Sequence, residues 1–266
     1  MSVSMSVSIE ALLRNLQDED ETTRRFAAED LGDLRVAEAA RPLAAALEDP
    51  SAAVREAAAA ALVRIGGSAA VEAVLPALRS DSAPVRNAAC TVLARIGPEA
   101  VAALQRLLED EDKDVRLFAV DILARIGSPA AESALRGALE DRDVNVAAAA
   151  AAALGEIGTP AAVGPLIRAL KANSWVRCAV ARSLGQIGGQ SAVEALVGLT
   201  QDDDELVAFA AVQSLAELCD PEASRQLQRL AAHPNPVLAA AASAALERVV
   251  RHRAIDSPSL SVGGIP

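Results

Sequence analysis

A single motif recurs eight times along this chain at intervals of 30 or 31 residues, and only a fold with an internal period can accommodate it. The clearest copies place Val, Arg, Ala, Leu, Ile and Gly at offsets 0, 1, 4, 8, 11 and 12. They are Val54, Arg55, Ala58, Leu62, Ile65 and Gly66; Val85, Arg86, Ala89, Leu93, Ile96 and Gly97; and Val115, Arg116, Ala119, Leu123, Ile126 and Gly127. Further copies start at Val146 and at Val176, the latter with Val180 in place of Ala, and weaker ones at Thr23, Val207 and Leu238. Offsets 0, 4, 8 and 11 fall on one stripe of a helix with 3.6 residues per turn, and the Gly that follows supplies a left-handed C-cap. Ahead of each stripe lies another amphipathic segment marked by paired leucines, such as Leu12 and Leu16, Leu43 and Leu47, or Leu135 and Leu139. Ser128-Pro129 and Thr159-Pro160 read as an N-cap followed by the first helical residue. Each unit therefore predicts an antiparallel helix pair. A pair this short cannot bury both of its stripes alone, so neighbours must stack, and the small residue at offset 4 lets them approach. Val180 is expected to hold the sixth unit slightly wider.

The expected fold is all-α: a right-handed α-solenoid, or superhelix, of about eight helix-turn-helix repeats over residues 8–253, forming one domain. At about 10 Å per repeat it would run roughly 80 Å. Residues 1–7 and 254–266 carry no period and are expected to be disordered. Composition agrees, since 52% of residues are hydrophobic but only 2% aromatic, which leaves Ala, Leu and Val to build the interior and disfavours a sandwich or barrel. The formal charge of −11 repels phosphate backbones and anionic lipids, so neither nucleic acid nor membrane is an expected partner. Cys90, Cys178 and Cys219 are odd in number and widely spaced, which suits a reducing compartment better than a disulfide framework. No apolar run is long enough to span a bilayer, and Met1–Glu10 lacks the basic and apolar regions of a secretory signal, so a cytoplasmic location is expected.

The pattern Asp-x(4)-Val-Arg-x-x-Ala-x-x-x-Leu-x-x-Ile-Gly at Asp49–Gly66 and Asp110–Gly127 resembles the HEAT-like repeat of the phycobilisome-lyase type. Pro42, Pro76 and Pro165 resemble the proline kinks of HEAT first helices. The resemblance implies that Asp and Arg six residues apart, as in Asp18 and Arg24, Asp49 and Arg55, or Asp110 and Arg116, hydrogen-bond to tie adjacent turns. Where Ala147, Ala208 and Ala239 replace the Arg, looser junctions and a change of curvature between the fifth and eighth units are expected.

Function is expected on a concave face formed by the second helices, where offsets 2, 6 and 9 point away from the buried stripe. At offset 2 the later repeats carry Leu117, Ala148, Cys178 and Phe209, and at offset 6 they carry Asp121, Arg182 and Gln213. Just before the stripe stand Trp175, Leu206 and Val237. An apolar row from Leu117 to Phe209, about 30 Å long, would be an interaction surface with Trp175 and Arg182 as anchors. Cys178, at a helix start beside Arg177 and Arg182, is a candidate reactive thiolate if exposed, and a core thiol otherwise.

Catalytic motifs are absent, no cofactor or metal is expected, and His233 and His252 lack partners at a recognisable spacing. Acidic clusters at Asp18–Glu21, Glu109–Asp112 and Asp202–Glu205 fall where they cap helix N-termini. The residues thus point to a protein-binding scaffold or chaperone-like factor. The family resemblance implies a phycobilisome role, with a phycobiliprotein client or a second HEAT-repeat lyase subunit as partner. In the alternative it implies, the chain is a subunit of a bilin lyase, with a linear tetrapyrrole as transient ligand stacked on Trp175, Phe209 and Leu117 and its propionate on Arg182. A third reading, a carrier-binding factor in iron–sulfur assembly, rests on Cys178.

Overall fold

The computed structural model describes residues 8–218 and 220–256. Every regular element among them is helical, and the helices come in eight pairs. These are α1 (Ile9–Asn15) and α2 (Glu21–Asp33), α3 (Ala40–Ala45) and α4 (Ala52–Ile65), α5 (Gly67–Val74) and α6 (Ala83–Ile96), and α7 (Val101–Leu107) and α8 (Lys113–Ile126). The remainder are α9 (Pro129–Ala138) and α10 (Val144–Ile157), α11 (Val163–Ala169) and α12 (Ser174–Ile187), α13 (Gln190–Leu199) and α14 (Glu205–Glu217), and α15 (Pro221–Leu230) and α16 (Pro236–Asp256). This is an α-solenoid. The chain divides between Ala134 and Leu135 into two compact units, each with its own run of stacked pairs. Helix α16 runs three residues past the expected repeat boundary at 253, with no proline before Pro258 to stop it. Residues 1–7, 257–266 and Cys219 lie outside the described residues.

The second helices are the regular ones. All but α6 begin where an Asp, Ser or Asn side chain accepts a backbone N–H of the first turn: Asp20 from Thr23, Ser51 from Val54, Asp112 from Asp114, Asp143 from Asn145, Asn173 from Val176, Asp204 from Leu206 and Asn235 from Val237, whereas Ser82 before α6 makes no such bond. Each acidic cluster thus supplies one cap residue, Asp20, Asp112 or Asp204. Five second helices end at Gly66, Gly97, Gly127, Gly158 and Gly188, all with positive φ, although only Gly127 and Gly158 adopt the left-handed α conformation. In the first repeat Arg35 occupies that place with φ 51°. The first helices are shorter. Pro76 lies in a 3-10 turn, Leu75–Arg79, that continues α5, while Pro42 and Pro165 lie within α3 and α11. Ser128 caps α9 through Ala131 N–H at 3.2 Å, but the Thr159 side chain caps nothing, its hydroxyl being buried without a partner.

Within each unit the core lies between a layer of first helices and a layer of second helices. Leu43, Leu47, Leu62, Leu78 and Leu93 are fully buried in one unit, and Leu154, Leu166, Leu184 and Leu196 in the other. The packing between successive second helices is not uniform. The pairs α2 with α4, α10 with α12 and α12 with α14 approach most closely, and these three carry Gly32, Gly155 and Gly185 at offset 9. A Cβ on Gly32 would stand 2.6 Å from Ala61 Cα, one on Gly155 2.7 Å from Ser183 Cβ, and one on Gly185 2.7 Å from Ser214 Cβ. Offset 9 therefore faces offset 7 of the next repeat and does not point outward as expected. The looser junction expected at Ala147 and the wider spacing expected at Val180 are likewise overturned. Helix α12 sits tightly against both neighbours, and the Ser183 hydroxyl donates to Ala151 C=O across the seam at 2.8 Å.

The Asp and Arg six residues apart are linked differently from the expectation. Arg24 Nη1 donates to the backbone carbonyls of Asp18 and Glu19, while its Nε and Nη2 reach forward to the carboxylate of Asp49 in the next repeat at 2.8 and 3.0 Å. Arg177 repeats the arrangement with Ala172 C=O and the Asp202 carboxylate, each at 2.9 Å. The same carboxylate also accepts the N–H two residues on, from Ser51 in the case of Asp49 and from Asp204 in the case of Asp202. Each rung therefore joins one repeat to its successor. The Arg24 guanidinium holds the Asp49 carboxyl below the ordinary aspartate range.

Candidate protein-binding face

The starts of the second helices in residues 135–256 share one unusual property. Val144, Trp175, Leu206 and Val237 occupy the first turns of α10, α12, α14 and α16, and all four are exposed, Trp175 by 61% and Leu206 by 73%. Val144 directly follows its cap residue Asp143, and Trp175, Leu206 and Val237 stand two residues after Asn173, Asp204 and Asn235. Cys178 follows Trp175 by three residues, and Phe209 follows Leu206 by three, so each pair shares a helix face. Phe209 is exposed and Cys178 half-buried. At about 10 Å between adjacent helices, the four starts form a row roughly 30 Å long. The corresponding places in the other unit hold Thr22, Ala53, Pro84 and Asp114, none of them large and apolar.

The expected surface residues divide accordingly. Trp175, Arg182, Leu206 and Phe209 are all exposed. Among the described residues Arg182 forms no ion pair, which leaves its charge available to a partner. Gln213 is half-buried and its side chain accepts from Arg248. Leu117 and Asp121 are exposed on α8, in the other unit. Ala148 leaves the row: only 7% of it is exposed, because the close approach of α12 to α10 closes over so small a side chain. Val144 was missed because it stands two residues before the stripe instead of one. Its signal was a lone β-branched residue between the polar Asp143 and Asn145.

Both described thiols, Cys90 and Cys178, are held above the ordinary cysteine range. Burial pushes Cys90 up to about 11. Burial also raises Cys178, and Asp204 adds to the rise, outweighing Arg182 and Arg177. The thiolate expectation fails because desolvation and the neighbouring cap carboxylate act against both arginines. With Cys219 replaced by Ser, thiol titration of the folded protein at pH 7 should modify Cys178 slowly, at a rate that climbs as pH increases, and Cys90 only on unfolding. Rapid labelling of Cys178 at pH 7 would contradict this. His233 Nδ1 accepts the Asn235 N–H at 3.1 Å, taking the turn-forming role that Asp has in other repeats. No group of three or more His, Cys, Asp or Glu among the described residues is arranged to hold a metal ion. No described helix is long and apolar enough to cross a membrane.

A family profile described as HEAT repeats matches residues 9–94, 71–141, 100–175 and 165–247, nearly the whole described chain. The chain belongs to the HEAT-repeat family. Among solved structures it is similar to Kap95p, solved bound to RanGDP, with 16% identity over 91% of this chain and 40% of that one and a TM-score of 0.53, a likeness of fold. It is also similar to human deoxyhypusine hydroxylase (22% identity, 91% and 96% of the two chains, TM-score 0.41). A further similarity is to the CpcE and CpcF complex of phycocyanin lyase from Nostoc (26% identity, 85% and 95%, TM-score 0.36). No curated protein sequence matches the chain. HEAT repeats of this kind suggest a protein-interaction scaffold, and the exposed first turns are where this one departs from its own repeat pattern.

Proposed function

We propose that this HEAT-repeat protein recognises a client protein through the apolar row formed by Val144, Trp175, Leu206, Phe209 and Val237. The observation that carries this reading is that large apolar residues stand exposed at four successive second-helix starts in one unit, where the equivalent places of the other unit are small or polar. Contiguous apolar surface is costly to expose to water and marks a binding site. Asp203 and Glu205, both exposed beside Leu206, favour a client whose apolar ridge is bordered by basic side chains. A photo-crosslinking residue at 206 should capture a client from native lysate, and the same residue at Glu56 should not; capture at both positions or at neither removes the proposal.

The motif at Asp49–Gly66 and Asp110–Gly127 supports a more specific client, a phycobiliprotein, with a linear tetrapyrrole as the ligand to try. On that reading Trp175 and Phe209 would face the pyrrole rings and Arg182 a propionate. Adding a linear tetrapyrrole to the purified chain should then shift the pigment's absorbance, and an unchanged spectrum leaves the scaffold reading without a bilin.

A further inference from the structure

We infer that Arg55 and Ser80 form a binding slot for a single carboxylate group, in the place where other repeats supply the carboxylate themselves. Arg24 and Arg177 each bind their own turn through Nη1 and then donate to an Asp of the following repeat, Asp49 and Asp202. Arg55 makes the first half of this arrangement: its Nη1 donates to Asp49 C=O at 2.7 Å and to Pro50 C=O at 3.0 Å. The second half is missing. The residue at the place of Asp49 and Asp202 is Ser80, and Nε and Nη2 of Arg55 have no partner among the described residues. Ser80 otherwise does what the Asp does, its hydroxyl accepting the N–H of Ser82 two residues on at 3.2 Å. The turn therefore keeps its shape while lacking the anion.

Space is present at this point. A groove of about 690 Å³ is lined by Arg55, Ser80, Asp81, Ser82 and Pro84 together with Glu48. Elsewhere in the sequence, arginine and acceptor vary together. Arg86 and Arg116 are followed by Asp110 and Asp141 at the rung position, whereas Ala147 is followed by Lys171 and Ala208 by His233. In sequence Arg55 is the exception, an arginine retained without its acid; in the structure Arg86 too binds only its own turn, at Ser80 C=O, with Asp110 engaged by Arg79. A guanidinium binds a carboxylate through two parallel N–H donors, the geometry already seen between Arg24 and Asp49. Glu48, Asp49 and Asp81 also line the groove, so a lone carboxylate, such as an acidic side chain or chain terminus of a partner peptide, fits better than a polyanion. The nearby Arg79 does not compete, because Asp110 engages it.

The test uses the 266-residue chain with acetate as probe and chloride at equal ionic strength as control, followed by the arginine Nε–H signals in NMR. One signal, identified by its loss in Arg55→Lys, should shift saturably with acetate and stay in place with chloride. In Ser80→Asp the built-in carboxylate should abolish the acetate response and raise the melting midpoint by about 2 °C. An unmoved Arg55 signal, as when Asp81 swings in to fill the slot, overturns the inference. An equal response to chloride, or an acetate response that survives in Ser80→Asp, overturns it as well. None of these outcomes bears on the apolar row, which lies in the other unit.

Discussion

Replacing Gly32 by Ala should lower the urea midpoint, whereas the same change at Gly198 should raise it. In an ordinary helix, Ala is better than Gly by about 0.5–1 kcal/mol, because it restricts the unfolded chain. Gly198 near the end of α13 has nothing within reach of an added Cβ, so this gain is expected in full. At Gly32 the new Cβ would meet Ala61 Cα at 2.6 Å and Ala61 Cβ at 2.7 Å. The obstacle is backbone, so it yields only if α2 and α4 move apart along a seam where Ala28, Ala58, Ala61 and Leu62 are fully buried. Overpacking of this kind costs about 1–3 kcal/mol, which exceeds the propensity gain. Gly185→Ala should behave like Gly32→Ala, since the Cβ would lie 2.7 Å from Ser214 Cβ and 3.1 Å from its Cα. Because stability in a stack is local, the loss should appear as early melting around the altered seam. Equal effects at positions 32 and 198 would mean that the close approach is not what the glycine serves.

That seam shows where sequence reasoning stopped. The pairing of helices, their buried stripes and their caps were legible, because each depends on residues within one repeat, spaced by the helical period. Offset 9 was misjudged because its environment is set by the neighbouring repeat, about thirty residues away, and nothing in a single helix wheel reports the neighbour's distance. The same limit applies to the rungs. Asp49 and Arg55 look like partners by spacing, yet the carboxylate accepts from Ser51 N–H and from Arg24, so the true link is 25 residues long. Among the surface residues, Trp175, Leu206 and Val237 were legible as residues preceding a stripe. Ala148 was not, since its burial follows from the closeness of α10 and α12. Cys178 was left open because its two arginines are visible in sequence, whereas the burial and the Asp204 carboxylate that outweigh them come from packing and from the next repeat.

Trp175→Ala should weaken binding of the client by about 2–4 kcal/mol, roughly thirtyfold or more, with little change in the melting midpoint. A Trp that is 61% exposed contributes little to the fold but buries a large area when a partner covers it. Leu206→Ala should cost less, since Leu is rarely an anchor, and the two losses should not simply add, because both side chains lie on one row. The protein supplies its own probe: Trp175 is the only tryptophan, so intrinsic fluorescence reports this one position. Its emission should lie at the wavelength of a solvated indole in the free chain and move to the blue as the crosslinked client is titrated in. Phe26→Ser is the matched control, an exposed aromatic in the other unit, stacked under Arg25 at 4.6 Å. If Phe26→Ser and Trp175→Ala weaken binding alike, or if the emission does not move at saturating client, the client docks elsewhere. The row would then be apolar for a reason that recognition does not supply. A blue shift with a thirtyfold loss in Trp175→Ala alone would instead place the anchor of the complex at the start of α12, between Val144 and Leu206 on the neighbouring helices.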